Sequence, residues 1–426
     1  MRVLFATYSE KTHFLSAVPL AWALRAAGHE VRVASQPELT ATITEAGLTA
    51  VPVGRDHTLW RSVDRLLTPR VKEFDPALYE RTRRGQSPPF DLPADPADIT
   101  AEYLRDADEG VVATAGMING PMVDDLVAFA RSWRPDLVVW EPATYAGAIA
   151  AASVGAAHAR FVWGLDFAGA LRGHVRAAQP GGDALAAWLG GYGERHGFAF
   201  TEDLAVGQVT LDHMPPSVSL GADVARLPLR FVPYGGPAVV PGWLWRPPER
   251  PRVALTLGIS ATERFDGYLV GVQEVLESLA DLDVEVVATV ADKERHRVAA
   301  VPGNARVVPY VPLHSLLPTC AAVIHHGGAG TVSTALLHGV PQVVVPDQAD
   351  GQRAAGLLAG QGAALVVPPD GAGGGAVRDA VCRLLSEPAF GADARRLRAE
   401  VADLPTPAQV VPRLVAHAAA GSAAVR

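Results

Sequence analysis

The chain has 426 residues, a formal net charge of −8 and a pI near 5.9, and at about 150 residues per domain it suggests two or three domains. The acidic balance argues against nucleic acid or an anionic membrane as the main partner, and no apolar run approaches the ~18 residues that span a bilayer. The start turns polar by Thr7, too short for a signal-peptide core, and the two cysteines, Cys320 and Cys382, suggest neither a disulfide framework nor a thiolate metal site, which fits a soluble protein of the reducing cytoplasm.

Strand-length apolar runs alternate with helix-length segments, the pattern of parallel βαβ units. Residues 2–6 read as a strand, 7–13 as a polar loop, 14–27 as an amphipathic helix stopped by Gly28, and 30–35 as the next strand. Residues 56–116 break the rhythm. They carry Arg61, Arg65, Arg70, Arg81, Arg83 and Arg84 and a Ser87-Pro88-Pro89 turn, and read as exposed helices and loops inserted in the first domain. Residues 137–140 are a later strand of the same half, followed by a small-residue helix over 145–154. Proline and glycine crowd residues 233–251 around Trp243 and Trp245, marking a linker that packs on something. A second series restarts at 252–258, with strands over 284–289, 306–308, 321–324, 342–345 and 364–367, and an amphipathic helix over 408–420. The expectation is an α/β protein with two Rossmann-like domains, 1–232 and 252–405, facing each other across a cleft. Residues 406–426 then form a C-terminal helix packing back on the first domain. Ligands in such sheets bind beyond the carboxyl ends of the strands, so the cleft is the expected site.

The most specific stretch is His325-His-Gly-Gly-Ala-Gly-Thr331, between a strand and a helix. First-turn N–H groups lack intrahelical partners and the dipole favours negative charge, so this turn suits a phosphate, with His326 and Thr331 adding side-chain donors. In the first half, His13 precedes a helix at the carboxyl end of a strand and is placed to act as a general base. Glu141 ends strand 137–140 of the same sheet, where its carboxylate would fix the imidazole's tautomer. Two plainer readings stay open: a loop histidine without a role, and a carboxylate that favours the helix after it. Gly258 and Ser260 lie in a further turn suited to phosphate. Asp347 and Asp350 follow strand 342–345, where acids can accept hydrogen bonds from sugar hydroxyls. The pairs Asp281/Asp283 and Asp124/Asp125 read as solvated faces, and no metal is expected.

With these residues in view, the chain resembles family-1 glycosyltransferases of the GT-B fold. Within them it is similar to the actinobacterial enzymes that attach deoxy- and aminosugars to polyketide aglycones, such as desosaminyl- and mycaminosyltransferases of macrolide pathways. The resemblance is carried by residues 18–33, 46–54, 122–126, 135–141 and 230–234 and above all by the 325–331 motif; the 56–116 region matches least. It implies a hexosyltransferase with no cofactor, using a dTDP-sugar as co-substrate. His326 and the amides around Gly328, Ala329, Gly330 and Thr331 would hold the diphosphate, bordered by Gly258 and Ser260. Val311 would bond thymine through its backbone, Thr12 would contact phosphate, and Asp350 would bind the sugar. His13 would be the base and Glu141 its orienting carboxylate. One departure is that Gly351 stands where the family often has glutamine, which suits a deoxygenated sugar. The implied partners are a nucleotide sugar, a hydrophobic aglycone and an auxiliary protein resembling a cytochrome P450 without haem, docked on the 56–116 insertion; a homodimer is left open. Alternatives of other classes are a nucleotide-sugar epimerase and an inactive sugar-nucleotide-binding subunit.

Overall fold

The computed structural model describes residues 1–179, 181–258, 268, 270–369 and 373–424. Its strands form two wholly parallel sheets. In the first, β1 (Arg2–Ala6), β2 (Glu30–Ser35), β3 (Thr49–Pro52), β4 (Leu137–Trp140), β5 (Ala157–Val162), β6 (Thr210–Asp212) and β7 (Arg226–Pro228) lie in the order β3-β2-β1-β4-β5-β6-β7. In the second, β8 (Arg252–Thr256), β9 (Glu285–Thr289), β10 (Ala305–Val308), β11 (Ala322–His325), β12 (Gln342–Val344) and β13 (Ala364–Val366) lie in the order β10-β9-β8-β11-β12-β13. Strands covered on both faces read as unbroken apolar runs, as Leu137-Val-Val-Trp140 does. In each sheet the winding reverses at one point, between β1 and β4 and between β8 and β11, where Ala6 pairs with Trp140 and Thr256 with His325. Helices diverge from a sheet at such a point and leave a crevice there.

One face of the first sheet packs on the helix Lys11–Ala26 and on the last helix, Pro407–Ala424, which buries Val410, Val411, Leu414 and Ala418 in the same core as Val3, Val18 and Leu24. The other face packs on Met122, Leu126, Ile149 and their neighbours. The two lobes also share a core. Met214 and Val218, which follow β6, join Val332, Leu336 and Val344 of the second lobe, and buried His213 lies 3.1 Å from Ser333 Oγ.

Four readings from sequence change. The helix expected from residue 14 begins at Lys11, with the Glu10 carboxylate accepting from Thr12 N–H at its start, so His13 stands in a helical first turn instead of a loop. The 56–116 stretch is not an exposed excursion. Its helices Leu59–Leu66, Pro76–Arg83 and Ala101–Asn119 turn apolar sides toward the cleft and bury Tyr79, Leu104 and Ala107, while Arg61, Arg65 and Arg70 remain outside. Strand β5 was unread because buried His158 and Arg160 interrupt its apolar run; Arg160 is compensated by Asp166 at 2.5 Å and by Thr210. Of the two linker tryptophans only Trp243 is packed, 5.7 Å and 4.9 Å from the guanidinium groups of Arg252 and Arg306; Trp245 is exposed.

Burial pushes the His213 imidazole down to about 4. Above pH ~6.5 the group is neutral whether the chain is folded or not, so it contributes no pH dependence there. As the pH falls from 6.5 towards 4 the unfolded chain takes up a proton that the native state refuses, and about 1.4 kcal/mol per pH unit of stability is lost. The stability difference between wild type and His213→Gln, measured by denaturant unfolding, should therefore shrink steadily from pH 7 to pH 4.5. A constant difference across that range would remove His213 from the acid response.

Candidate active site

On the first lobe, β1 leads through a short loop into the helix that carries His13, and Glu141 is the residue after β4. Because β1 and β4 are neighbours in register, the two meet: His13 Nδ1 lies 3.2 Å from Glu141 Oε2, both side chains largely buried. Glu141 gathers further donors. The Thr144 hydroxyl bonds Oε1, and Ala143 N–H (3.1 Å) and Trp163 Nε1–H (3.4 Å) bond Oε2. Buried carboxylates need such partners. The imidazole stacks on Trp163 at 4.0 Å between centroids and meets the edge of Tyr8 at 5.2 Å. With Nδ1 held by the carboxylate, Nε2 is left for a substrate. The loops beneath are braced by two buried amides. Gln36 accepts from Ser9 N–H and donates to Ile118 O, and Asn119 donates to Ala143 O and accepts from Ala146 N–H.

On the second lobe the two adjacent histidines separate in role. His325 is wholly buried; its Nδ1 accepts from Gly327 N–H (3.0 Å) and its Nε2 faces Gln342 Oε1 (2.9 Å). Burial pushes it down to about 3, so it is a neutral brace for the glycine turn. His326 faces the cleft. A Cβ on Gly258 or on Gly328 would come within 2.4 Å of its ring, so glycine at both positions is what admits the imidazole. The helix Ala329–His338 starts with Gly328 at its cap. Gly328 O takes the N–H groups of Thr331 and Val332, which leaves the amides of Gly328, Ala329 and Gly330 without a backbone partner among the described residues. Free amides at the positive end of a helix dipole are groups that can hold an anion.

Asp350 lies in the first turn of the helix Ala349–Gly360 and accepts from Gly351 N–H at 2.8 Å. Asp347 is 7% exposed, and its Oδ1 has no partner among the described residues. Burial holds both carboxyls above the usual range, against an opposing pull from His326 on each and from His13 on Asp350. Gly351 has a steric reason: a Cβ there would meet His326 O at 2.9 Å, so a glutamine would displace the turn.

The remaining expected residues are less central. Thr12 is exposed at the cleft edge, its hydroxyl bonded to Glu10 at 3.1 Å. Thr331 is buried, with its amide spent on Gly328, and does not line the cleft. The Val311 side chain belongs to the core with Leu316, Leu317 and Val323. Ser260 lies outside the described residues. Sequence reasoning missed Thr144, Trp163 and Tyr8. Thr144 stands three residues after Glu141, and Trp163 follows a strand that was not recognised.

The cleft holds about 780 Å³ and is lined from both lobes. His13, His326, Gly328, Asp347 and Asp350 line it from the two lobes, and Leu59, Trp60, Leu66, Phe90, Met117 and Phe167 make much of the remaining wall apolar. No cluster of three metal-ligating side chains occurs among the described residues; Asp281 pairs with Arg378 and Asp124 with Arg195. No described helix is long and apolar enough to cross a membrane.

Two doubly wound lobes that open their switch points on one cleft, with an imidazole–carboxylate pair facing an anion-binding helix start, define a glycosyltransferase of the GT-B class. The chain matches the family models for the N-terminal domain (residues 22–258) and the C-terminal domain (residues 273–417) of erythromycin biosynthesis protein CIII-like proteins. It is 47% identical over 421 residues to 10-deoxymethynolide desosaminyltransferase of Streptomyces venezuelae, covering 97% of this chain and 96% of that one. It is also 47% identical over 436 residues to TDP-daunosamine transferase DnrS of Streptomyces peucetius, again covering 97% and 96%. Among solved structures, the glycosyltransferase VinC in complex with dTDP aligns with a TM-score of 0.84 at 39% identity, over 98% of this chain and 99% of that one. The chain belongs to the erythromycin biosynthesis protein CIII-like glycosyltransferases.

Gly327 has φ +92°, and a Cβ on it would lie 2.7 Å from Gly351 Cα, whereas a Cβ on Gly330 would meet nothing within 4 Å. Gly327→Ala should therefore cost roughly 1–2 kcal/mol or more through left-handed strain alone, while Gly330→Ala, inside a helix, should be neutral or gain up to ~1 kcal/mol. Thermal melts of the ligand-free proteins check this; equal midpoints would show that the turn is not packed as described.

Proposed function

We propose that this chain is an inverting glycosyltransferase that moves a deoxy(amino)sugar from a dTDP-sugar to a hydroxyl of a macrolide or aromatic polyketide aglycone in antibiotic biosynthesis in the cytoplasm. The observation that carries the reading is the His13–Glu141 pair facing the His326–Gly330 turn across one cleft. The donor's diphosphate lies on the amides of Gly328, Ala329 and Gly330 and against His326, with Gly258 at its border, Thr12 reaching it from the other lobe and Thr331 behind the turn. Asp347 and Asp350 take the sugar, and Val311 meets the thymine through its backbone. The aglycone fills the apolar end between Leu59, Phe90 and Phe167.

In the reaction, His13 Nε2 accepts the proton of the acceptor hydroxyl. That oxygen bonds the anomeric carbon from the face opposite the diphosphate, and the carbon–oxygen bond to the diphosphate breaks with its electron pair. Glu141, fixed by Thr144, Ala143 and Trp163, stabilises the imidazolium. The charge arriving on the leaving group meets amides and an imidazole that are already in place, a scheme that calls for no divalent ion. The relatives named above support the sugar and acceptor classes through their own activities. An epimerase needs no second pocket, and the apolar space beside His13 favours transfer over that alternative. A braced base likewise disfavours an inactive binding subunit.

The test is incubation with dTDP-deoxysugars, with and without macrolactone or aromatic polyketide acceptors, read by mass. The expected product is acceptor plus one sugar. Donor converted to its epimer without acceptor would overturn the reading. Loss of the base in His13→Ala should lower turnover by about 10²–10⁴-fold with dTDP affinity little changed; near-full activity would reassign the base. We further propose that the exposed face bearing Arg61, Arg65 and Arg70 receives a P450-like auxiliary protein without haem. Co-expression with such a protein should raise the rate, and equal rates with and without it would refute the idea.

A further inference from the structure

The donor side and the acceptor side touch at a place that the chemistry above does not use. The helix Pro76–Arg83 ends with its last carbonyls pointing past its own C-terminus, and the helix Ala349–Gly360 begins with N–H groups that lack partners within it. These two ends meet across the cleft. Ala349 N–H donates to Arg84 O at 2.9 Å, and Gln348 Nε2 donates to Arg83 O at 2.8 Å. Opposite ends of two helix dipoles are thereby joined, a favourable pairing. The fit is close: Gly85 sits at φ +58°, and a Cβ on it would fall 2.4 Å from Gln348 Oε1.

Both partners of this contact belong to functional walls. Leu78, Arg81, Thr82 and Gly85 line the acceptor side of the cleft, and Gln348 stands between Asp347 and Asp350 on the donor side. The contact therefore joins a wall of the apolar cavity to the segment that carries the two aspartates. We propose that Gln348 is a positioning residue that fastens the donor loop to the acceptor-side segment 83–85, so that occupancy of one substrate site strengthens the other. The proposal rests on the glycosyl-transfer reading. It adds a specific cost of failure: with the fastening loosened, water replaces the acceptor. Its oxygen bonds the anomeric carbon, its proton passes to His13, the bond to the diphosphate breaks with its electron pair, and free sugar and dTDP result.

The experiment compares wild type with Gln348→Ala, and with Gly85→Ala, which crowds the same contact from the other side. In wild type, saturating acceptor should tighten dTDP-sugar binding by roughly ten-fold, within the usual range of coupling between sites. In both variants the factor should fall below about two-fold, and hydrolysis relative to transfer should rise at least about five-fold, with His13-dependent chemistry retained. Amide hydrogen exchange supplies a readout free of turnover. Adding dTDP alone should slow exchange over residues 83–86 of the opposite lobe in wild type and not in Gln348→Ala. Wild-type coupling and partition preserved in Gln348→Ala, or exchange at 83–86 indifferent to dTDP in wild type, would overturn the inference. Absence of any sugar transfer by wild type would instead overturn the functional reading, since the exchange measurement stands apart from it.

Discussion

The contact between His13 and Glu141 exists because β1 and β4 run side by side in register, with Ala6 paired to Trp140 although 134 residues separate them in the chain. Neither residue has a local reason to be where it is. His13 lies in the first turn of a helix and Glu141 is the first residue after a strand; the reversal of winding between the two strands brings both into one crevice. Once there, the carboxylate is buried, and burial is tolerable only because Thr144, Ala143, Trp163 and the imidazole all bond it. The same bonds immobilise the ring. Burial and orientation are therefore one constraint, and removal of any one donor loosens the others' hold on the imidazole.

The second sheet repeats the arrangement with different chemistry. Its reversal lies between β8 and β11, and the residues after those strands are Leu257-Gly258 and His326-Gly327. There the groups that follow the two strands are amides and an imidazole, with the carboxyls of Asp347 and Asp350 close by. The neighbouring histidines show how strongly position decides function. His325 faces inward, spends both nitrogens and stays neutral; His326, one residue on, faces outward between two glycines.

Much of this was legible in the sequence because strands buried on both faces must be apolar throughout, and β1, β4, β8 and β11 are close to that limit. Those four strands set both switch points, so the sequence points to the strand ends beside His13, Glu141 and the 325–330 turn, though not to the helical first turn that holds His13. What was not legible had physical reasons. Strand β5 hides a buried Arg160 whose compensation by Asp166 and Thr210 is a tertiary fact, and Trp163 was lost with it. The 56–116 stretch mixes arginines with apolar residues, and only packing reveals that Arg61, Arg65 and Arg70 stay outside while Leu59, Leu66 and Phe90 line the cleft. Gly351 reads in sequence as a lost amide; the backbone oxygen of His326, 2.9 Å from where its Cβ would lie, makes glycine a steric requirement of the turn.

The last helix, Pro407–Ala424, shares the core of Val3, Val18 and Leu24, although the chain reaches it after completing the second sheet. Polypeptide therefore passes between the lobes twice, once through the segment around Trp243 and once near Pro405, whose carbonyl accepts from Arg230 N–H. A single tether allows twisting about its own axis. Two tethers side by side behave like the spine of a book and resist torsion, so they help to keep the His13 imidazole aligned with the 326–330 turn.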